Sequence, residues 1–253
     1  MIRIENLDKS YGRLTVLRDL TLTIPRGQVT ALVGPNAAGK TTLIKAILGL
    51  VRPAGGSISI DGHTIGRDPV YRERIGYMPQ HPAFPDNLLV RELLAFMDDI
   101  RGVSRSDDDG PFDRAPGRDL IDTFELASSM DKKLGTLSGG TRQKVNAAIA
   151  FRYGPDLLIL DEPTAGLDPL ARARLKDVIQ HERERGTTVL ITSHVLSELR
   201  DLAEHIVYLV DGHLRVSSSV RDLLRRTGAA DLEHAVARMM AESPDQDDAV
   251  EVR

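Results

Sequence analysis

This sequence predicts an α/β fold: a parallel sheet covered by helices, preceded by an antiparallel β region. Three observations carry that expectation. Short, predominantly apolar strands, within "VTALVG", "LLILDE" and "TTVLITSH", are separated by helical stretches, the pattern of a parallel sheet buried on both faces. One of these strands runs directly into a glycine-containing loop and then a helix. The N-terminal segment behaves differently, alternating apolar and polar residues as half-buried antiparallel strands do.

The elements follow in chain order. Ile2, Ile4, Leu14, Val16, Leu20, Leu22 and Ile24 mark short strands, punctuated by "YGR" and "PRG". "VTALVG" is a buried strand, and the apolar spacing turns helical from Lys40 to Leu48. "GGSISIDG" and "IGYMPQ" are further strands, the second ending at Gln80. From Val90 to about Leu134 the pattern is helical, interrupted by "RSDDDGPFDRAPG", a polar Gly/Pro-rich stretch expected as a mobile surface loop. A helix follows "LSGG" through "TRQKVNAAIAFR". Then come strand "LLILDE", a helix from about Leu170 to Arg185, strand "TTVLITSH", helix "VLSELRDLA" and strand "HIVYLV". Two short helices, "VRDLLRR" and "DLEHAVARMMA", precede an acidic, frayed end. No internal repeat or heptad run is present.

Composition excludes several function classes. The 253 residues are 41% hydrophobic and 28% charged with net charge −4, an ordinary globular balance without the basic face that nucleic acid requires. Cysteine is absent, which removes disulfides and thiolate metal sites. The N-terminus is charged from Arg3 onward, so no secretory leader is expected. No apolar run approaches the roughly 20 residues of a membrane helix. Membrane contact is therefore expected only through a partner.

"GPNAAGKTTL" has the spacing G-x-x-x-x-G-K-[ST], with Gly34, Gly39, Lys40 and Thr41 at the fixed positions. Such a loop turns successive backbone N–H groups inward, and with the following helix N-terminus makes a cradle for phosphates. Pro35, Asn36, Ala37, Ala38 and Thr42 complete the nucleotide-binding stretch. Lys40 is expected on the β- and γ-phosphates and Thr41 on Mg²⁺. "LLILDE" delivers Asp161 and Glu162 to the C-terminal end of a buried strand, where ligands gather in open α/β sheets. Asp161 is expected to hold Mg²⁺ and Glu162 to polarise an attacking water.

"LSGGTRQKVN", lying between these two motifs, settles the resemblance. The order of phosphate loop, LSGG signature and acidic strand end resembles the ATP-binding cassette (ABC) family. The resemblance runs from about residue 2 to residue 215. It implies that the fold is a P-loop NTPase with a RecA-like parallel-sheet core, an N-terminal antiparallel β region and a helical signature subdomain. It also implies that Tyr11 stacks on adenine, that Gln80 contacts metal and water, and that Asp168 in "AGLD" borders the nucleotide. His194 in "TSH" corresponds to the switch histidine, so Glu162, His194 and Gln80 form the catalytic set. Ser138, Gly139 and Gly140 of the signature are implied to close over ATP held by a second copy, in a head-to-tail homodimer. The nucleotide-binding domain is expected over residues 1–217, with the helical subdomain, about 82–153, inserted. A short helical tail is expected over 218–253.

The cofactors implied are ATP and Mg²⁺. The partner implied is an integral membrane transporter subunit that holds the cassette at the cytoplasmic face of the membrane, and no nucleic acid is expected. "MPQ", "FPDNLLVRELL", "IRG" and "LSGGTRQKVN" resemble the ATPase of the copper-processing system that supports nitrous oxide reductase maturation. The alternative is the ATPase of a drug- or lipid-type exporter. A soluble non-transport cassette comes third, because neither a long coiled-coil insertion nor a second cassette is visible. The six Met and seven His are scattered and form no copper cluster, so a copper or sulfur cargo would take only force from this chain.

Two positions depart from the family pattern: Ala37, where glycine is common, and Thr141, where the signature usually has Gln. Alanine costs little at negative φ and about 1–3 kcal/mol where positive φ is required. The loop is therefore expected to remain functional. Thr141 still offers a hydroxyl, though with a shorter reach.

Overall fold

The apolar strands of the second half assemble as their patterning demands. The computed structural model describes residues 1–66, 69–103, 118–193 and 195–242. Strands β3 (Val29–Val33), β7 (Leu157–Asp161) and β8 (Thr188–Thr192) are buried at every position. With β6 (Ile75–Met78) and β9 (His205–Val210) they form a parallel array. The strand order is β10-β9-β3-β8-β7-β6, where β10 (His213–Ser219) pairs antiparallel with β9 at the edge. A second, antiparallel sheet has the order β2-β1-β4-β5, from β1 (Ile2–Tyr11), β2 (Leu14–Ile24), β4 (Gly55–Ile60) and the two-residue β5 (His63–Thr64).

Alternation along the parallel strands divides the core in two, because successive side chains point to opposite faces. Leu32, Ile159, Leu190 and Val207 face helix α1 (Lys40–Ile47) and the antiparallel sheet, meeting Ile2, Ile4, Leu43 and Ile44. Ala31, Leu158, Leu160 and Val189 face the remaining helices. These are α2 (Val90–Ile100), α3 (Arg118–Thr123), α4 (Gly139–Phe151) and α5 (Pro169–Glu184), then α6 (Val220–Thr227) and α7 (Leu232–Glu242). Leu223, Leu232, Ala235 and Val236 of the last two helices are buried in this same cluster. These two helices are thus packed onto the core.

Local signals explain the helix boundaries. Asp168 caps α5, accepting from the Ala171 amide at 2.8 Å, and Pro169 occupies the first turn, where its missing N–H costs nothing. Ser219 caps α6, which ends at Gly228 in the left-handed conformation. The ends of α2 and α4 are joined by a buried ion pair: Arg152 donates to both oxygens of Asp98, at 2.8 and 2.9 Å. The Tyr153 hydroxyl adds a bond of 2.9 Å to the same carboxylate. Breaking one partner of such a pair leaves an uncompensated buried charge.

One expectation is corrected: "VLSELRDLA" forms only a 3-10 turn over Leu196–Leu199, not a helix. The segment "HLRVSSS" adds an edge strand, β10, after "HIVYLV". The loop expected at 105–117, His194 and the acidic end from residue 243 lie outside the described residues.

Candidate nucleotide-binding and hydrolytic site

The site lies at the C-terminal ends of β3, β7 and β8, the edge at which open α/β sheets collect ligands. Beyond Val33 the chain turns at Gly34 with φ 154°, where an added Cβ would sit 2.2 Å from the Leu209 carbonyl oxygen. Gly39 caps α1 with φ 100°, and a Cβ there would meet Leu17 Cδ2 at 2.6 Å. Packing therefore demands glycine at both fixed positions. Ala38 is buried, and its methyl joins the core beside Leu43 and Leu209. Lys40 Nζ donates to the carbonyls of Gly34 at 2.7 Å and Pro35 at 2.9 Å, so the ammonium lies under the loop. Burial lowers its pKa, while the charges of Glu162 and Asp161 pull it back up.

Ala37 adopts φ 64°, the left-handed region that strains any residue with a Cβ by roughly 1–2 kcal/mol. The loop keeps the bend that glycine would give, at the cost of local strain. Ala37→Gly removes that strain without changing the shape of the cradle. Its ATP affinity, by calorimetric titration, should stay within about tenfold of the parent, or roughly 1.4 kcal/mol. A much larger gain would show that the alanine holds the loop in a poorly binding form.

Facing the loop are Asp161 and Glu162, both nearly fully buried, and the exposed Gln80 beyond the end of β6. Thr192, paired with Asp161 across β7 and β8, ties the acidic pair together. Its hydroxyl donates to Asp161 Oδ1 at 2.6 Å and accepts from the Glu162 amide at 2.9 Å. Glu162 sits at φ 51°, a backbone state that persists only where its surroundings over-determine it. Asn36 to Thr42, Gln80, Asp161 and Glu162 line one cavity of about 310 Å³ together with Leu14 and Val16 of β2.

Other expected residues lie outside this cavity. Tyr11 pairs with Leu14 across the β1–β2 hairpin; its half-exposed ring lies 4.8 Å from Lys9 Nζ. Ser138 caps α4, accepting from the Thr141 amide at 3.2 Å, and the two hydroxyls are 2.8 Å apart. Thr141 thus closes the signature cap locally. Gly139 and Gly140 open that helix; a Cβ on Gly140 would lie 2.9 Å from the Gly166 carbonyl oxygen. Asp168 contacts Lys144 at 3.4 Å; the Ala171 amide, ahead of Lys144, holds its carboxyl below the usual range. Further along α4, Asn146 donates to the Pro79 carbonyl at 2.8 Å, and Arg142 reaches Asp86 at 2.9 Å. The signature helix is thereby tied to the segment that carries Gln80.

A family model described as ABC transporter matches residues 17–165, more than half of the chain. The chain belongs to the ABC transporter family. A shorter match, to an AAA domain described as a putative AbiEii toxin of a type IV TA system, covers 133–200 and omits the Lys40 loop. ABC relatives include the linearmycin resistance ATP-binding protein LnrL of Bacillus subtilis (strain 168), 31% identical over 90% of this chain and 72% of that one. The lantibiotic transport ATP-binding protein SrtF of Streptococcus pyogenes is 35% identical over 85% of this chain and 89% of its own. A solved ATP-binding subunit of an ABC transporter superposes with TM-score 0.86 at 30% identity, covering 95% of this chain and 99% of its own. A dimeric bacterial ABC transporter cassette gives TM-score 0.77 at 25% identity over 87% of this chain and 98% of its own. The protein is therefore an ATP-binding cassette of an ATP-hydrolysing enzyme family.

The site's chemistry fits that substrate. One wall supplies backbone N–H groups, the Lys40 ammonium and the Thr41 hydroxyl; the opposite wall supplies carboxylates. Phosphates and carboxylates repel unless a cation stands between them, and this donor set suits a hard, oxygen-preferring divalent ion. Among the described residues no group of three His, Cys, Asp or Glu side chains could hold a metal by itself. Sequence reasoning missed Leu14 and Val16, which resemble ordinary strand residues, and Thr192, whose role depends on its register with Asp161.

Proposed function

We propose that this chain is the ATPase subunit of an ABC exporter with a cargo of antibiotic class, working as a homodimer on the cytoplasmic face of a membrane through an integral membrane partner. One observation carries the hydrolytic part of this reading: the phosphate loop and the Asp161–Glu162 pair face each other across a single cavity. The exporter assignment rests on the relatives, whose names refer to linearmycin resistance, lantibiotic transport and daunorubicin/doxorubicin resistance. The finer resemblance to the copper-processing ATPase rests on short stretches of sequence and is not matched by these names. The exporter reading is preferred for that reason. No helix among the described residues is long and apolar enough to cross a membrane, which agrees with a force-supplying role beside a separate membrane subunit.

In this mechanism the loop amides and Lys40 bind the phosphates, and Tyr11 with Leu14 and Val16 receives the base. Thr41, Gln80 and Asp161 would hold Mg²⁺, which would supply positive charge against the phosphates. Glu162 orients a water for in-line attack on the γ-phosphorus and accepts its proton as the bond to ADP breaks. His194 is assigned to the γ-phosphate side of the same reaction. Ser138, Gly139, Gly140 and Asp168 of one copy complete the site of the other, which explains why none of them lines this chain's own cavity. In domain terms, residues 1–217 form the nucleotide-binding unit, about 82–153 its helical insertion, and 218–253 the tail.

The test is co-expression with a candidate integral membrane subunit, followed by fractionation and a cargo-resistance assay. The protein should move to the membrane only with that partner and should confer resistance to an antibiotic that Lys40→Ala does not. Sedimentation with ribosomes or DNA in every background would overturn the transporter reading.

A further inference from the structure

Glu162 occupies an uncommon backbone state, so something beyond its own strand must hold it there. Thr192 supplies one restraint. The second is the turn that follows Glu162, where the Ala165 amide donates to the Glu162 carbonyl at 3.1 Å. That turn is tied outward by Glu198 of the 3-10 segment: one carboxylate oxygen accepts from the Thr164 hydroxyl at 2.5 Å, and the other lies 2.9 Å from Arg172 Nη1. The 3-10 segment is too short to fix itself, since such turns bond weakly. It is held from below by α7. The Ser197 amide donates to Glu233 Oε1 at 3.0 Å, and Arg200 pairs with Asp231 at 3.5 Å. Leu199 and Leu202 are buried in the same cluster as Leu232, Ala235 and Val236.

We infer that α7 is a positioning element for hydrolysis, with Glu233 acting through Ser197, Glu198 and Thr164 on the turn that orients Glu162. The inference rests on Glu162 being the base in the proposed function. Glu233 does not line the nucleotide cavity, and among the described residues it bonds to the Ser197 amide and not to the phosphate loop, so its influence falls on turnover and not on affinity.

The experiment measures steady-state ATPase kinetics and ATP binding for Glu233→Ala, Glu233→Gln and Thr164→Val, with Glu162→Gln alongside. Glu233→Ala should lower kcat about 3–10-fold while KM and the ATP dissociation constant stay within about twofold. Glu233→Gln should recover most of the rate, because its amide oxygen still accepts from the Ser197 N–H. Thr164→Val breaks the far end of the same chain of contacts, so its effect and that of Glu233→Ala should combine less than additively. Faster hydrogen exchange at the Ala165 amide in Glu233→Ala would support the same path. An unchanged kcat in Glu233→Ala, or a defect confined to KM, would overturn the inference. Full additivity with Thr164→Val would overturn it too. If Glu233→Ala does not fold, the Glu233→Gln and Thr164→Val pair decides: wild-type kcat in Thr164→Val rejects the path. Near-parental turnover in Glu162→Gln would instead reject the underlying role of Glu162, so the two failures are distinguishable.

Discussion

Glu162→Gln should keep ATP affinity close to the parent while losing about 10²–10⁴-fold in turnover, the range expected when a general base is removed. The amide is nearly isosteric with the carboxylate, so the restraint from the Thr192 hydroxyl on the residue 162 amide survives, as does the turn at Ala165. What disappears is the group that accepts the water's proton. Because Thr192 of β8 holds the residue 162 amide in either form, folding should be little affected. Phosphate release under saturating ATP, read beside an affinity titration, checks both halves.

The second large effect is on binding. Lys40→Ala should raise the ATP dissociation constant about hundredfold or more, since charged hydrogen bonds contribute roughly 1.5–3 kcal/mol each and the ammonium would meet two phosphates. In the structure this ammonium is bonded to the Gly34 and Pro35 carbonyls, so it also braces the loop it serves. The bond to the Pro35 carbonyl is exposed and that to Gly34 only partly buried, so water can replace the lysine there. The melting temperature without nucleotide should therefore change little, whereas the stabilisation that ATP gives the parent should vanish. Thermal melts with and without ATP separate these outcomes. An ATP-dependent shift of parental size in Lys40→Ala would show that the cradle binds through its amides alone.

Much of this architecture was legible in the sequence, for identifiable reasons. The buried strands are apolar on both faces apart from Thr30, Asp161, Thr188 and Thr192, so their parallel packing follows from composition, and the phosphate loop announces itself by spacing. Other features depend on what only tertiary structure fixes. Whether Ala37 is strained depends on a φ angle, which its identity does not reveal. Thr192 matters because register places it between Leu32 and Asp161, whereas in sequence it is one more β-branched strand residue. β10 was obscured because "HLRVSSS" is polar and lies at a sheet edge, where one face meets water. "VLSELRDLA" has helical spacing, yet Leu199 and Leu202 are drawn into the core and α7 takes the adjoining space, so a 3-10 turn forms instead. Ser138, Gly139, Gly140 and Asp168 were legible as family positions, but none of them lines this chain's own cavity.

That separation makes dimerisation the point on which the account turns. The most direct measurement is the molar mass of the Glu162→Gln protein by light scattering, with and without saturating ATP. The account predicts a monomer alone and a dimer with ATP that is lost when Ser138 is also replaced by a bulky residue, such as Ser138→Arg. A protein that binds ATP with full affinity yet stays monomeric at every concentration would contradict it.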